Sequence, residues 1–180
     1  MSSYTDDQKN EMIKAAKAGD GEALMALVKQ YGVDIAAAKL DGDGLTALHY
    51  ITSYADDAAA SGKAITQLIA AAGAAIDIDA RETSWGYTPI HYASAYGKLH
   101  HVRALLRCGA SVDVKDNSGD TPTSDCCEWG GANKANKAAI LALLSDPASA
   151  SASASASSSD TAQANQVQHS AVRVRVRVRV

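Results

Sequence analysis

Histidine and cysteine are the side chains whose chemistry would reach furthest in this chain. There are five histidines and three cysteines in 180 residues. His49 and His91 recur in matched settings, and a histidine can serve as metal ligand or general base. His100 and His101 are adjacent; on a helix they point about 100° apart, which is poor geometry for chelating one ion. A solvated helix surface is the expectation for that pair. Cys108, Cys126 and Cys127 form no C-x-x-C pair and no His–Cys grouping with zinc spacing. Cys126 and Cys127 are expected to pack as small apolar side chains. Asp41-Gly42-Asp43-Gly44 has the look of a calcium loop's start but lacks the glutamate that would complete one, so a turn is expected. Asp56 and Asp57 read as solubilising charge. No P-loop, nucleophile elbow or H-E-x-x-H motif occurs. The expectation is a chain without catalytic residues, metal, cofactor or small-molecule substrate.

The elements that carry these residues repeat. Thr88-Pro89-Ile90-His91-Tyr92-Ala93 returns in part as Thr121-Pro122, 33 residues later. Gly86 and Gly119, and Gly97 and Gly130, keep the same spacing. Upstream, Gly44, Thr46, Leu48, His49 and Tyr50 match Gly86, Thr88, Ile90, His91 and Tyr92 at a spacing of 42. The surplus has visible homes in Ser53–Lys63 and Gly73–Tyr87, both too long for single turns. Pro89 and Pro122 suit a first helical turn, and Thr88 and Thr121 before them can cap it. Ile90 and Ala93, then Leu99, Val102, Leu105 and Leu106, give one apolar face per helix. Gly97 and Gly109 suit the helix ends, and Asp116-Asn117-Ser118-Gly119 is turn chemistry.

A 33-residue period carrying Thr-Pro-Ile-His-x-Ala resembles the ankyrin repeat family. Thr88 to Asp113 is the best unit, with Gly97, Val102, Leu105-Leu106, Gly109-Ala110 and Val112-Asp113 in place. Asp41 to Asp79 is a second. Ala15-Ala16, Gly19-Asp20, Leu24, Leu27-Val28 and Gly32 look like an N-terminal cap, and Thr121 to Leu144 like a C-terminal one. The resemblance implies an all-α helix-turn-helix solenoid with short hairpin loops. Its units are 11–40, 41–79, 80–115 and 116–144, after an N-terminal arm over 1–10. It also implies that His49 and His91 hydrogen-bond the backbone of loops between repeats, and that Cys126 and Cys127 lie in a first helix.

The same resemblance implies where a partner protein would bind: the concave face made by hairpin tips and first helices. Tyr54, Trp85, Tyr87, Tyr96 and Trp129 map to such positions. Exposed Trp and Tyr are the side chains most enriched at binding hot spots. Arg81, Glu82, Asp120 and Glu128 would form a polar rim. The alternative is that these rings pack on neighbouring repeats or cover the insertions.

Charge divides the chain. Residues 1–144 hold 18 acids and 13 bases, while residues 145–180 hold two acids and four arginines. Residues 148–159 are only Ala and Ser, too little apolar area to offset the entropy of ordering them. A boundary near Ser145 and a disordered low-complexity tail over 145–180 are therefore expected. Val172 to Val180 alternates Val and Arg, which gives a second functional reading: attachment to nucleic acid or an anionic membrane through the tail alone. The acidic body weakens it. The polar N-terminus, the odd cysteine count and the lack of a 20-residue apolar run favour an intracellular protein, cytoplasmic or nuclear; a monomer is expected.

Overall fold

The computed structural model describes residues 4–129 and 134–152. Its helices come in antiparallel pairs. Helices α1 (Asp6–Ala18) and α2 (Gly21–Tyr31) form the first pair, followed by the short α3 (Asp34–Ala37). Helices α4 (Ala47–Tyr54) and α5 (Ala59–Ala72) form the second, and α6 (Pro89–Ala95) and α7 (Leu99–Arg107) the third. Helices α8 (Lys137–Ser145) and α9 (Ser149–Ala152) close the stack. Successive pairs lie in register, with α1, α4 and α6 in an inner row and α2, α5, α7 and α8 in an outer one. Among the described residues there is no strand, and no helix is long and apolar enough to cross a membrane.

The core follows from the sequence pattern. Met12, Leu24, Leu48, Ile51, Ile65, Leu68, Ile90, Leu105 and Ile140 are fully buried between the rows. Alanines fill the spaces between them, among them Ala16, Ala47, Ala64 and Ala93, so the helices approach closely without aromatic filler. Gly19 shows how close. Its φ of 65° ends α1 in a left-handed cap, and an added Cβ would lie 2.8 Å from the Ser61 Cβ of the next repeat.

Several expectations change against this fold. The arm expected over residues 1–10 contains the start of α1: Thr5 and Gln8 form a capping box and the helix begins at Asp6. The first helix expected after Pro122 is not an α-helix. Residues 122–129 are a run of turns, with Ser124 N–H donating to Thr121 O and Glu128 N–H to Asp125 O. Cys127 N–H and Trp129 N–H instead donate to Ser94 O and Ala95 O at 2.9 and 3.0 Å, so the end of α6 takes the donors a helix would use. Cys126 and Cys127 are buried there, as expected of them, but in turns, and Cys127 has φ of 62°. Packing also runs past the boundary read at Ser145. Ala150 of α9 is fully buried and α9 lies against α7. The rest of the Ala/Ser run and the Val/Arg segment lie outside the described residues.

The adjacent histidines are not a solvated pair. His101 is fully buried, with Nε2 2.8 Å from the Ser61 hydroxyl, while His100 is half-buried. The cause is the long α4–α5 connection, which folds onto the start of α7. Lys98 Nζ donates to Ser53 O and Ala55 O at 2.8 Å, and Asp57 caps α7 from outside by accepting His100 N–H at 2.8 Å. Asp57 is thus a helix cap rather than free charge.

This cluster makes stability sensitive to acid. Burial, then the neighbouring Lys98 ammonium, lowers His101 from its ordinary 6.5 to about 4. As the pH falls below 6.5 the unfolded chain takes up the proton first, so the contribution of His101 is complete above that pH and is lost toward 4. The difference corresponds to about 3 kcal/mol. Burial lowers His49 and His91 in the same direction. Urea midpoints should therefore fall between neutrality and pH 4, with His101→Gln flattening part of the slope. A slope unchanged by the substitution would contradict this assignment.

Candidate interaction surface

Three loops project from the inner row, and each is closed by an acidic side chain near its start. Asp41 Oδ1 accepts Leu45 N–H at 2.9 Å. Glu82 accepts the N–H groups of Ser84, Trp85 and Tyr87 at 2.6, 2.6 and 3.1 Å. Asp116 Oδ1 accepts those of Ser118 and Asp120 at 2.8 and 2.9 Å. Backbone bonds across the loops add to this: Leu40 N–H to Leu45 O, Glu82 N–H to Tyr87 O and Asp116 N–H to Asp120 O. The loops have hairpin closure without a strand ladder. Glu82, read from sequence as part of a rim, is buried inside its loop.

Neighbouring loops are tied into a ribbon. Thr83 N–H and hydroxyl both donate to Asp43 O at 2.8 Å. Asn117 N–H donates to Trp85 O at 2.9 Å, and Arg81 spans Gly86 O and Asn117 Oδ1 at 3.1 and 2.9 Å. Gly86 permits this contact. It has φ of 74°, and an added Cβ would lie 2.3 Å from Arg81 Nη2 and 2.5 Å from Asn117 Oδ1. Gly86→Ala should cost about 1–2 kcal/mol through left-handed strain and a displaced Arg81. Chemical denaturation reads this directly, with the exposed Gly42→Ala as the near-neutral control.

The two histidines fix loops to helices. Thr46 N–H donates to His49 Nδ1 at 3.1 Å, and Nε2 of the same ring reaches Tyr87 O at 3.1 Å. Thr88 N–H donates to His91 Nδ1 at 3.2 Å, and its Nε2 reaches Asp120 O at 3.3 Å. Each ring accepts at Nδ1 and donates at Nε2, so each is neutral and joins its own helix cap to the next repeat's loop. Burial lowers both pKa values, which holds that form. Burial, then Cys126, pushes the Cys127 thiol up to about 11.

Beside the loops runs a lane of rings. Tyr50 and Tyr54, one turn apart on α4, stack with centroids 5.8 Å apart. Tyr92 and Tyr96 hold the same relation on α6 at 6.5 Å. Trp129 meets Tyr87, Tyr92 and Tyr96 edge-on at 5.3, 6.1 and 5.5 Å. Tyr92 also meets the His49 ring at 5.8 Å, which links the two groups. At one end Lys17 Nζ stands 4.6 Å from the Tyr54 centroid and 5.3 Å from that of Tyr50. Carboxylates line the lane. Tyr50 O–H donates to Asp41 Oδ2 at 2.5 Å, and burial followed by Asp125 and Asp116 pushes the Tyr87 phenol up to about 12.

The lane gathers Tyr54, Tyr87, Tyr96 and Trp129, which sequence reading had singled out, while Trp85 stands at the loop tip. Exposure separates them: Trp85 is 63% exposed, Tyr54 60% and Trp129 45%, whereas Tyr87 and Tyr96 are half-buried among other rings. Arg81 serves loop-to-loop bonding and Asp120 is exposed at the ribbon's far end. Sequence reading missed Tyr50 and Tyr92, the inner members of each stacked pair. Their signal was present: Tyr-x-x-x-Tyr at 50/54 returns at 92/96 with the repeat's own 42-residue offset.

The family model described as ankyrin repeats (3 copies) matches residues 56–153, just over half of the chain. The chain belongs to the ankyrin repeat family. Ankyrin repeats serve in general as protein-interaction modules. The E3 ubiquitin-protein ligase Ufd4 of Drosophila melanogaster is 26% identical over 137 residues, 76% of this chain and 4% of that protein. The ankyrin repeat domain-containing protein SOWAHB of Homo sapiens is 35% identical over 83 residues, 44% of this chain and 10% of that protein. The chain thus spans a small part of each relative. The lane occupies the first-helix side of the stack.

Proposed function

We propose that this ankyrin stack is a non-catalytic interaction module, acting as a monomer, that binds a partner protein through its concave face of loop tips and first helices. The lane of rings carries this reading. Trp85, Tyr54 and Trp129 keep large amphipathic surfaces in solvent on one side of a scaffold whose loops are cross-linked by hydrogen bonds. The half-buried Tyr87, Tyr92 and Tyr96 brace Trp129, and Tyr50 stacks on Tyr54, so binding there needs little rearrangement. Asp43, Asp120 and Glu128 supply exposed charge around the rings. Photo-crosslinking tests the reading: a probe at position 54 or 85 should capture the partner, and one at exposed Lys63 or Arg107 on the outer row should not. Equal capture from both sides would remove it.

A further inference from the structure

The rings leave one part of the stack unused, its first edge. An open groove of about 460 Å³ lies between α1 and α2. Ala18, Ala23, Ala26 and Leu27 line it, with Glu11 and Lys14 on the α1 wall. Gly21 stands against Ala64 of α5, and Leu24 and Val28 are buried on the same side of α2. The groove residues stand across the helix from these three, so the groove faces away from the second repeat.

The later repeats show what such a groove holds. Leu27, Leu68 and Leu105 occupy matching places in α2, α5 and α7, and Ala23, Ala64 and His101 stand four residues before them. Ala64, Leu68, His101 and Leu105 are fully buried, whereas Ala23 and Leu27 are only half-buried. Ala26 is exposed where its counterpart Ala104 is buried. The outer helix of the preceding repeat covers the later positions: α2 lies on α5, and α5 on α7. Each contact begins at a glycine. A Cβ added at Gly21 would lie 3.2 Å from the Ala64 Cβ, and one at Gly62 would lie 3.1 Å from His100 O. A repeat that only closes a stack turns a polar face outward. The first repeat instead keeps the alanines and leucine of an interior repeat on its open side.

A second copy stacked head to tail presents no complete helix pair to this edge, because residues 122–129 are turns where the inner helix of the last unit would stand. The charges of the edge are partly committed. Tyr31 O–H donates to Glu11 Oε2 at 2.8 Å, and Asp20 Oδ1 caps α2. Lys14 makes no ion pair among the described residues. We propose that this edge is a second docking site, which takes a helix pair of another protein stacked as a further repeat would stack. That pair sets a small residue at the start of its outer helix over Ala23 and brings a carboxylate to Lys14. The site is separate from the lane of rings, and neither depends on the other.

The probe is a consensus ankyrin array lacking its C-terminal capping repeat, so that its last helix pair is open, with the capped array as control. Titration calorimetry against the full chain should give a dissociation constant of about 10 μM or tighter for the uncapped array and no binding for the capped one. Ala26→Glu should weaken the uncapped array at least about tenfold, because docking would bury an unpaired charge. Ala26 is exposed, so the thermal midpoint of this variant should stay within about 2 °C of the unmodified chain. Lys63→Glu, at an exposed position on α5, should leave binding unchanged. Failure of the uncapped array to bind would overturn the proposal, as would equal binding by the capped array or by the Ala26→Glu variant. Sedimentation of the full chain alone gives the remaining outcome. A mass that rises with concentration and falls back in Ala26→Glu would seat a second copy on this edge and overturn the assignment to another protein.

Discussion

Changing His91 to alanine should lower the thermal midpoint by roughly 10 °C, from a loss of about 4 kcal/mol. The ring is 1% exposed and bonded at both nitrogens. Removing it leaves Thr88 N–H in a fully buried setting without its acceptor, which costs about 1–3 kcal/mol alone. It also releases Asp120 O, and with it the bond from α6 to the next loop, and it opens a cavity beside Tyr87, whose ring centroid is 5.5 Å away. His100→Ala is the control on the next helix. That ring is half-buried at the surface of α7, and its loss should move the midpoint by a few degrees at most. Differential scanning calorimetry on both variants decides the matter. Equal shifts would mean that His91 is not the bridge between repeats.

The second large effect concerns binding. Tyr54→Ala together with Trp85→Ala should weaken partner affinity by two to three orders of magnitude, about 4 kcal/mol, because each is an exposed aromatic of the hot-spot type. The two residues stand on α4 and on the loop before α6, and both are at least 60% exposed. They contribute little to the core, so the melt should barely move. Tyr92→Ala would be a poorer probe, since its ring touches His49, Tyr87, Tyr96 and Trp129 and its loss would loosen the brace as well as the face.

The parts of this molecule that repeat were legible in the sequence. The helix-starting Thr with His three residues on, the helix-ending glycines and the spaced leucines each have a local physical reason, and each appears in more than one unit. The loops could be read too, although not the way Glu82 turns inward to close its own. The departures arise where one repeat answers to another. Residues 122–129 have a helix-starting Thr-Pro, yet their N–H groups are drawn to Ser94 O and Ala95 O across the repeat boundary. His101 looked like one of a surface pair because its helix alone says nothing of the α4–α5 connection that buries it. Trp129, read from sequence as a contact candidate, owes its position to a backbone bond with α6 rather than to a helix. Tyr50 and Tyr92 were hidden because each follows a histidine already explained, and only their stacking on Tyr54 and Tyr96 shows the lane.

The central claim is that the inner face, and not the core, is what these rings are for. Titration calorimetry of the crosslinked partner against the unmodified chain and the Tyr54→Ala, Trp85→Ala variant, with thermal melts of both, tests it most directly. The expected result is affinity lowered by at least about 100-fold with midpoints within about 2 °C of each other. Unchanged affinity, or a midpoint that falls by roughly 10 °C, would contradict it.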